Sequence, residues 1–70
     1  MRVLVLISDE YRDRILEVAE NLKAPGMKVD QVLNTVGVII GEIDAEKLSL
    51  LQTVTGVSKA EEEGEPYEAL

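Results

Sequence analysis

Two hydrophobic periods follow one another in the first third of the chain. Residues 2–7, RVLVLI, carry apolar side chains on both alternating faces, which predicts a central β-strand with neighbours on both sides. From Ser8 onward the apolar residues recur every three or four positions, and Ser8 or Asp9 can cap a helix whose first turn is acidic. We expect this helix to end at Ala24-Pro25-Gly26. Its apolar face consists of Tyr11, Ile15, Val18, Ala19 and Leu22.

The second part of the chain predicts a hairpin, a short helix and a last strand. Residues 27–34 and 36–43 are typical of two strands, with Asn34-Thr35 as a tight connection between them. Asp44 can cap a short helix that ends near residue 55, and residues 57–61 predict a weakly apolar edge strand. The predicted apolar face of the short helix consists of Ala45, Leu48 and Leu51.

The predicted order β-α-β-β-α-β indicates an α+β protein with the ferredoxin-like fold. In that fold two helices cover one face of a four-stranded antiparallel sheet. Right-handed crossovers give the strand order 4-1-3-2, so the first and third strands lie at the centre. The second face of the sheet then stays open and can dock a partner. Spacing alone does not decide which residues of the first strand lie on that open face: Leu4 and Leu6, or Val3, Val5 and Ile7.

The composition of the chain disfavours several kinds of site and partner. The 70 residues include no cysteine and no histidine, so we expect no disulfide, no zinc site and no cofactor. Fourteen acidic residues against seven basic ones give a net charge of −7, which disfavours nucleic acid and anionic membranes as partners. The apolar run at residues 3–7 is too short for a signal peptide or a membrane span. We therefore expect a soluble, cytoplasmic chain that begins at its own methionine.

Catalytic residue patterns are weak in this sequence. The carboxylate pairs Asp9 with Asp13 and Glu17 with Glu20 lie on predicted helix surfaces, where solvated side chains are the simplest interpretation. The lysines fall at helix ends or on edge strands, without an apolar pocket that could lower a lysine pKa for Schiff-base chemistry. The serines have no histidine to activate them. The sequence therefore does not predict an enzyme.

The second half of the chain resembles a known inhibitor module. Residues 26–63, GMKVDQVLNTVGVIIGEIDAEKLSLLQTVTGVSKAEEE, are similar to the second half of the propeptides of subtilisin-like serine proteases. They equally resemble the free-standing inhibitors of the peptidase inhibitor I9 family. The matching features are a strand after glycine, the hairpin into VGVIIGEID, the short helix AEKLSLLQ, and GV followed by an acidic run. Residues 1–63 would form the inhibitor-type domain, and residues 64–70 would form an extended C-terminal tail.

The resemblance implies a role for the acidic run and for the tail. In the family, the open sheet face packs on two surface helices of the protease, and carboxylates at the positions of Glu61 and Glu63 accept hydrogen bonds from the N-termini of these helices. The tail lies in the substrate cleft as a product mimic, with its terminal carboxylate near the oxyanion hole. The cleft-binding residues would be Tyr67, Glu68, Ala69 and Leu70. The alternatives are a solvated charge run that protects an edge strand, and a frayed terminus without a role.

The resemblance also implies the biological setting. A free-standing chain of this family acts in trans, as an inhibitor or as a folding chaperone of a separate protease. A monomer is expected, with a homodimer as the alternative. The competing hypothesis is a small regulatory or self-associating module whose open face pairs with itself. Residues 26–43 also resemble small bacterial proteins labelled ketohydroxyglutarate aldolase, but that chemistry needs a buried Schiff-base lysine, which this sequence does not predict.

Overall fold

The computed structural model describes residues 1–63 of the chain. The predicted tail, residues 64–70, lies outside the described residues. The strands are β1 (Arg2–Ile7), β2 (Lys28–Leu33), β3 (Val38–Glu42) and β4 (Val57–Glu62). The helices are α1 (Ile15–Leu22), after a 3₁₀ segment at Asp9–Arg14, and α2 (Leu48–Leu51), after a 3₁₀ segment at Ala45–Lys47.

The four strands form one antiparallel sheet in the order β2-β3-β1-β4. This is the predicted order 4-1-3-2 read from the opposite edge, and the ferredoxin-like α+β fold is confirmed. The two strands that are apolar on both faces, β1 and β3, occupy the centre of the sheet. Within residues 1–63, β2 and β4 are the edge strands, so each has one row of backbone groups that no other described strand pairs with.

The pleat of β1 separates two apolar sets. Val3, Val5 and Ile7 are buried beneath the helices, whereas Leu4 and Leu6 lie on the opposite face and are partly exposed. Leu4 and Leu6 are therefore the open-face residues of β1, which spacing alone did not decide. The buried core consists of Val3, Val5, Ile7, Ile15, Val18, Ala19, Leu22, Met27, Ile39, Ile43, Leu51 and Ala60.

Both helices begin with a 3₁₀ segment and lack side-chain caps. Ser8 and Asp44 have the extended backbone of N-cap residues, but neither side chain makes a capping hydrogen bond. The Ser8 carbonyl instead accepts a hydrogen bond from the Tyr11 amide at 2.9 Å, which is the tighter 3₁₀ pattern. α2 also ends earlier than predicted, at Leu51, because the next amides bond to carbonyls three residues back and the chain continues as tight turns.

The connection between β2 and β3 is longer than predicted. Four residues, numbers 34–37, separate the strands, so the two-residue turn at Asn34-Thr35 is wrong. Gly37 has φ +73°, and its amide donates to the Leu33 carbonyl at 2.9 Å. A side chain there would also collide with Arg12, whose Nη2 donates to the Thr35 carbonyl at 2.9 Å. Arg12 thus anchors the hairpin to the segment before α1.

A bulge shapes the outer strand β2. The register of β2 on β3 shifts between Val29 and Gln31, which leaves Asp30 as the extra residue. The β2 backbone approaches β3 so closely at this point that a Cβ on Gly41 would overlap the Lys28 carbonyl. Gly41 is therefore required by close backbone approach, as glycines within strands often are.

Ile39 and Ile40 are neighbours in β3 that face opposite sides of the sheet. Substituting each in turn tests which face is buried in the core and which is open. Ile39→Ala should lower the free energy of unfolding by about 2–5 kcal/mol, because it opens a cavity in a fully buried site. Ile40→Ala should cost only about 1 kcal/mol or less, because water already reaches that side chain. Urea unfolding measures both values. Equal losses would contradict the assignment of the open face.

Candidate functional site

The open face of the sheet carries an apolar patch. Cross-strand pairing places Leu4 beside Ile40, and Leu6 beside Val38, which in turn pairs with Leu33. Leu33 is 37% exposed, and the other four are partly exposed. We call these five residues the apolar patch. It is contiguous because register brings three strands together, although no two of its residues are adjacent in sequence.

Arg2 organises the charged end of the same face. Its Nε lies 3.1 Å from a Glu63 carboxylate oxygen, and its Nη1 lies 3.0 Å from Asp30 and 3.6 Å from Glu42. One guanidinium at the start of β1 thus joins carboxylates from β2, from β3 and from the residue after β4. We call these four residues the Arg2 cluster. The hydrogen bonds to Glu63 and then to Asp30 raise the pKa of Arg2 above its ordinary value.

Glu61 and Glu63, the predicted partner-binding carboxylates, both lie on the open-face side of the sheet. Glu61 pairs with Leu4, and the Glu63 amide donates to the Arg2 carbonyl at 2.9 Å. Both side chains are exposed, with 47% and 39% of their surface accessible. Glu62, between them, points to the helix side by the alternation of the strand. The two carboxylates therefore border the apolar patch at the β4 edge.

Each of these carboxylates already has a cation beside it, and neither pair was predicted from the sequence. Glu61 lies 3.4 Å from the Nζ of Lys59, and Glu63 is held by Arg2. The first pair could have been found, because Lys59 and Glu61 are two residues apart on a predicted strand and share a side. The second could not, because Arg2 and Glu63 are separated by 61 positions.

The predicted cleft-binding residues follow the β4 edge in sequence. Tyr67, Glu68, Ala69 and Leu70 lie outside the described residues. The described chain ends at residue 63, one position beyond β4 and next to Arg2. Any segment that follows therefore starts at the border of the open face.

The carboxylates and lysines considered for catalysis lie on exposed surface. Glu17 and Glu20 each lie beside a basic side chain of the same helical segment, and Asp9 is 98% exposed. All four lysines are exposed. A shallow groove of about 480 Å³ lies between the end of α1 and the turns after α2, and the described residues that line it include Asn21 but no ionisable residue. Within residues 1–63, no cluster of three potential metal ligands occurs, and no helix is long and apolar enough to cross a membrane.

Comparison with known proteins yields no relative. No protein-family model matches the chain, and neither curated proteins nor solved structures give a match. The similarity of residues 26–63 to protease propeptides therefore stays a prediction.

Substitution of Arg2 tests whether the ion pairs of the Arg2 cluster stabilise the fold. Arg2→Gln should lower the thermal unfolding midpoint, because three carboxylates from three parts of the sheet would lose their shared cation. The loss should shrink in about 1 M NaCl, where the Debye length falls to roughly 3 Å.

Lys23→Gln is the matched control for this variant. It also removes one positive charge, but it breaks only a single exposed pair with Glu20 on one helix. Differential scanning fluorimetry at low and high salt compares the two variants. Equal midpoints at low salt would contradict a role of the Arg2 cluster in holding the strands together.

Proposed function

We propose that this chain inhibits a subtilisin-like serine protease and can assist the folding of that protease. The open face docks on the enzyme, and the tail enters the substrate cleft as a product mimic. One observation carries the proposal: the apolar patch and the carboxylates of Glu61 and Glu63 lie on the same side of the sheet, and the carboxylates border the patch at the edge strand β4, which the tail follows in sequence.

The apolar patch supplies the non-specific part of the binding free energy. Burying a fully exposed leucine or isoleucine contributes about 1.5–3 kcal/mol, and partly exposed side chains contribute less. Leu4, Leu6 and Ile40 together can therefore contribute several kcal/mol when a partner covers them. Because the fold buries its other apolar face in the core, a partner can remove the patch from water without unfolding the domain.

The carboxylates supply orientation. To accept hydrogen bonds from the amides of a partner helix, Glu61 must break its ion pair with Lys59. The carboxylate of Glu63 must either break its ion pair with Arg2 or bind Arg2 and the partner amide together. Exposed ion pairs of this kind contribute little net free energy, because water solvates both partners well. A carboxylate at a helix N-terminus contributes up to about 2 kcal/mol once docking partly buries it. The exchange therefore favours the complex when water is excluded from the interface.

The tail supplies specificity for the cleft. In the proposed complex the side chain of Leu70 fills the apolar pocket for the residue before the scissile bond, and small Ala69 lies under the catalytic histidine of the protease. Tyr67 enters the pocket for the residue three positions upstream of Leu70. Strand addition provides backbone hydrogen bonds, and pockets for alternate side chains provide selectivity.

The open face is tested by titrating the chain against a bacterial subtilisin with a chromogenic peptide, and against trypsin for selectivity. Ile40→Lys should weaken inhibition of subtilisin at least about 10-fold, because a charge would be buried without a partner. Its free energy of unfolding should fall by no more than about 1 kcal/mol, as for Ile40→Ala, so the variant stays folded in the assay. Ser49→Lys is the matched control: it adds the same charge at an exposed position in α2 and should inhibit like the parent chain.

Two outcomes would count against this docking mode. If Ile40→Lys inhibits as well as the parent chain, the patch does not face the protease. If the parent chain is a tight dimer in sedimentation equilibrium, and Ile40→Lys makes it monomeric, the open face pairs with itself. The self-associating module would then be the better hypothesis.

The tail is tested by a ranking of variants. Deletion of residues 67–70 should abolish most inhibition, and Leu70→Asp should weaken it about 100-fold or more, because a carboxylate would enter an apolar pocket. Glu61→Gln combined with Glu63→Gln should cost less, roughly 1–3 kcal/mol of binding free energy, and less at high salt. Inhibition constants measured with the same substrate give the ranking. A truncated chain that inhibits as well as the intact one would exclude the substrate-mimic mechanism.

A further inference from the structure

The outer edge of β4 has a defined set of backbone groups that point away from β1. The Glu63 amide bonds to the Arg2 carbonyl, so residue 63 turns its backbone toward β1. Backbone direction alternates along an antiparallel strand, and Ala60 and Glu62 therefore turn their N–H and C=O groups outward. Such a row is a template for another strand.

A single side chain occupies the centre of this row. The Nε2 of Gln52 donates to the Ala60 carbonyl at 2.7 Å, and the Ala60 amide donates to the Oε1 of Gln52 at 3.1 Å. A primary amide presents a donor and an acceptor side by side, as a residue of a neighbouring strand does. Gln52, the first residue after α2, thus takes the place of one residue of a fifth strand.

The charges beside this position indicate what would otherwise pair there. If two copies of the chain joined their β4 strands antiparallel around Ala60, Lys59 of each copy would face Glu61 of the other. Two cross-strand ion pairs would form on the open-face side. A register in which Glu61 of one copy lies opposite Glu61 of the other would instead place two negative charges side by side. The charge pattern therefore favours the Ala60-centred register and a second copy of this chain as the occupant.

We propose that the β4 edge is a latent homodimer interface, centred on Ala60, which the amide of Gln52 holds closed. An Ala60-centred dimer needs the outward N–H and C=O of Ala60 in both copies, and Gln52 already satisfies these groups within the monomer. Pairing would therefore replace existing hydrogen bonds rather than satisfy free ones, so the net gain is small. This inference does not depend on protease inhibition.

Removal of the amide is the direct test. Gln52→Ala should shift the chain from a monomer to a concentration-dependent dimer in sedimentation equilibrium, at concentrations where the parent chain stays monomeric. A folded Gln52→Ala variant that remains monomeric would overturn the proposal, and so would a parent chain that already dimerises through β4. If Gln52→Ala does not fold, Gln52→Asn replaces it, because its amide is one methylene too short to reach both groups of Ala60.

Charge swaps then identify the occupant and the register. In the Gln52→Ala background, Lys59→Glu should dissociate the dimer, and adding Glu61→Lys should restore it with the ion pairs reversed. Lys23→Glu in the same background makes the same change in net charge away from β4 and should leave the dimer intact. If Lys59→Glu and Lys23→Glu act alike, the contact does not lie at this edge.

Hydrogen exchange tests the closed state in the unmodified chain. The amides of Ala60 and Glu62 both turn outward, but only Ala60 is held by Gln52. The Ala60 amide should therefore exchange at least about 10-fold more slowly than the Glu62 amide. Equal rates would show that the Gln52 amide does not close the edge in solution.

Discussion

The central position of β1 is the constraint on which the rest of this structure depends. A strand with neighbours on both sides and apolar residues on both faces needs cover on two sides, and the two short α-helices within residues 1–63 cover one. Val3 and Val5 are buried as a result, while Leu4 and Leu6 are left to water. The same arrangement that builds the core therefore creates the apolar patch, and the proposed docking role uses a surface that the fold cannot bury by itself.

Two of the seven basic side chains pair with carboxylates on the open face. Arg2 lies beside Glu63 and Lys59 lies beside Glu61, so two of the fourteen acidic side chains are paired near the C-terminal end of β4. Glu61 and Glu63 are thereby held on the side of the apolar patch. A docking partner would meet carboxylates that are already oriented but only weakly held, since both pairs are exposed to water.

The two edge strands of the sheet are protected from pairing with another strand in different ways. At β2, the bulge at Asp30 and its ion pair with Arg2 interrupt the regular row of backbone groups. At β4, the Gln52 amide saturates Ala60. In a chain this small an unprotected edge could pair with another copy, so edge protection leaves the open face as the surface for association.

The order of elements, the antiparallel sheet and the centrality of β1 and β3 followed from the sequence alone. The elements follow from the hydrophobic period of local stretches of the chain. Their arrangement follows from the right-handedness of crossover connections, which holds for nearly all proteins. The acidic run was also found from sequence, and its two-residue spacing places Glu61 and Glu63 on one side. The tertiary structure decided which set of β1 is buried, the length of the β2–β3 turn, and the pairing of Arg2 with Glu63 and of Gln52 with Ala60. These depend on strand register and on contacts between distant residues, and a one-residue shift in register would change every partner without altering the local pattern.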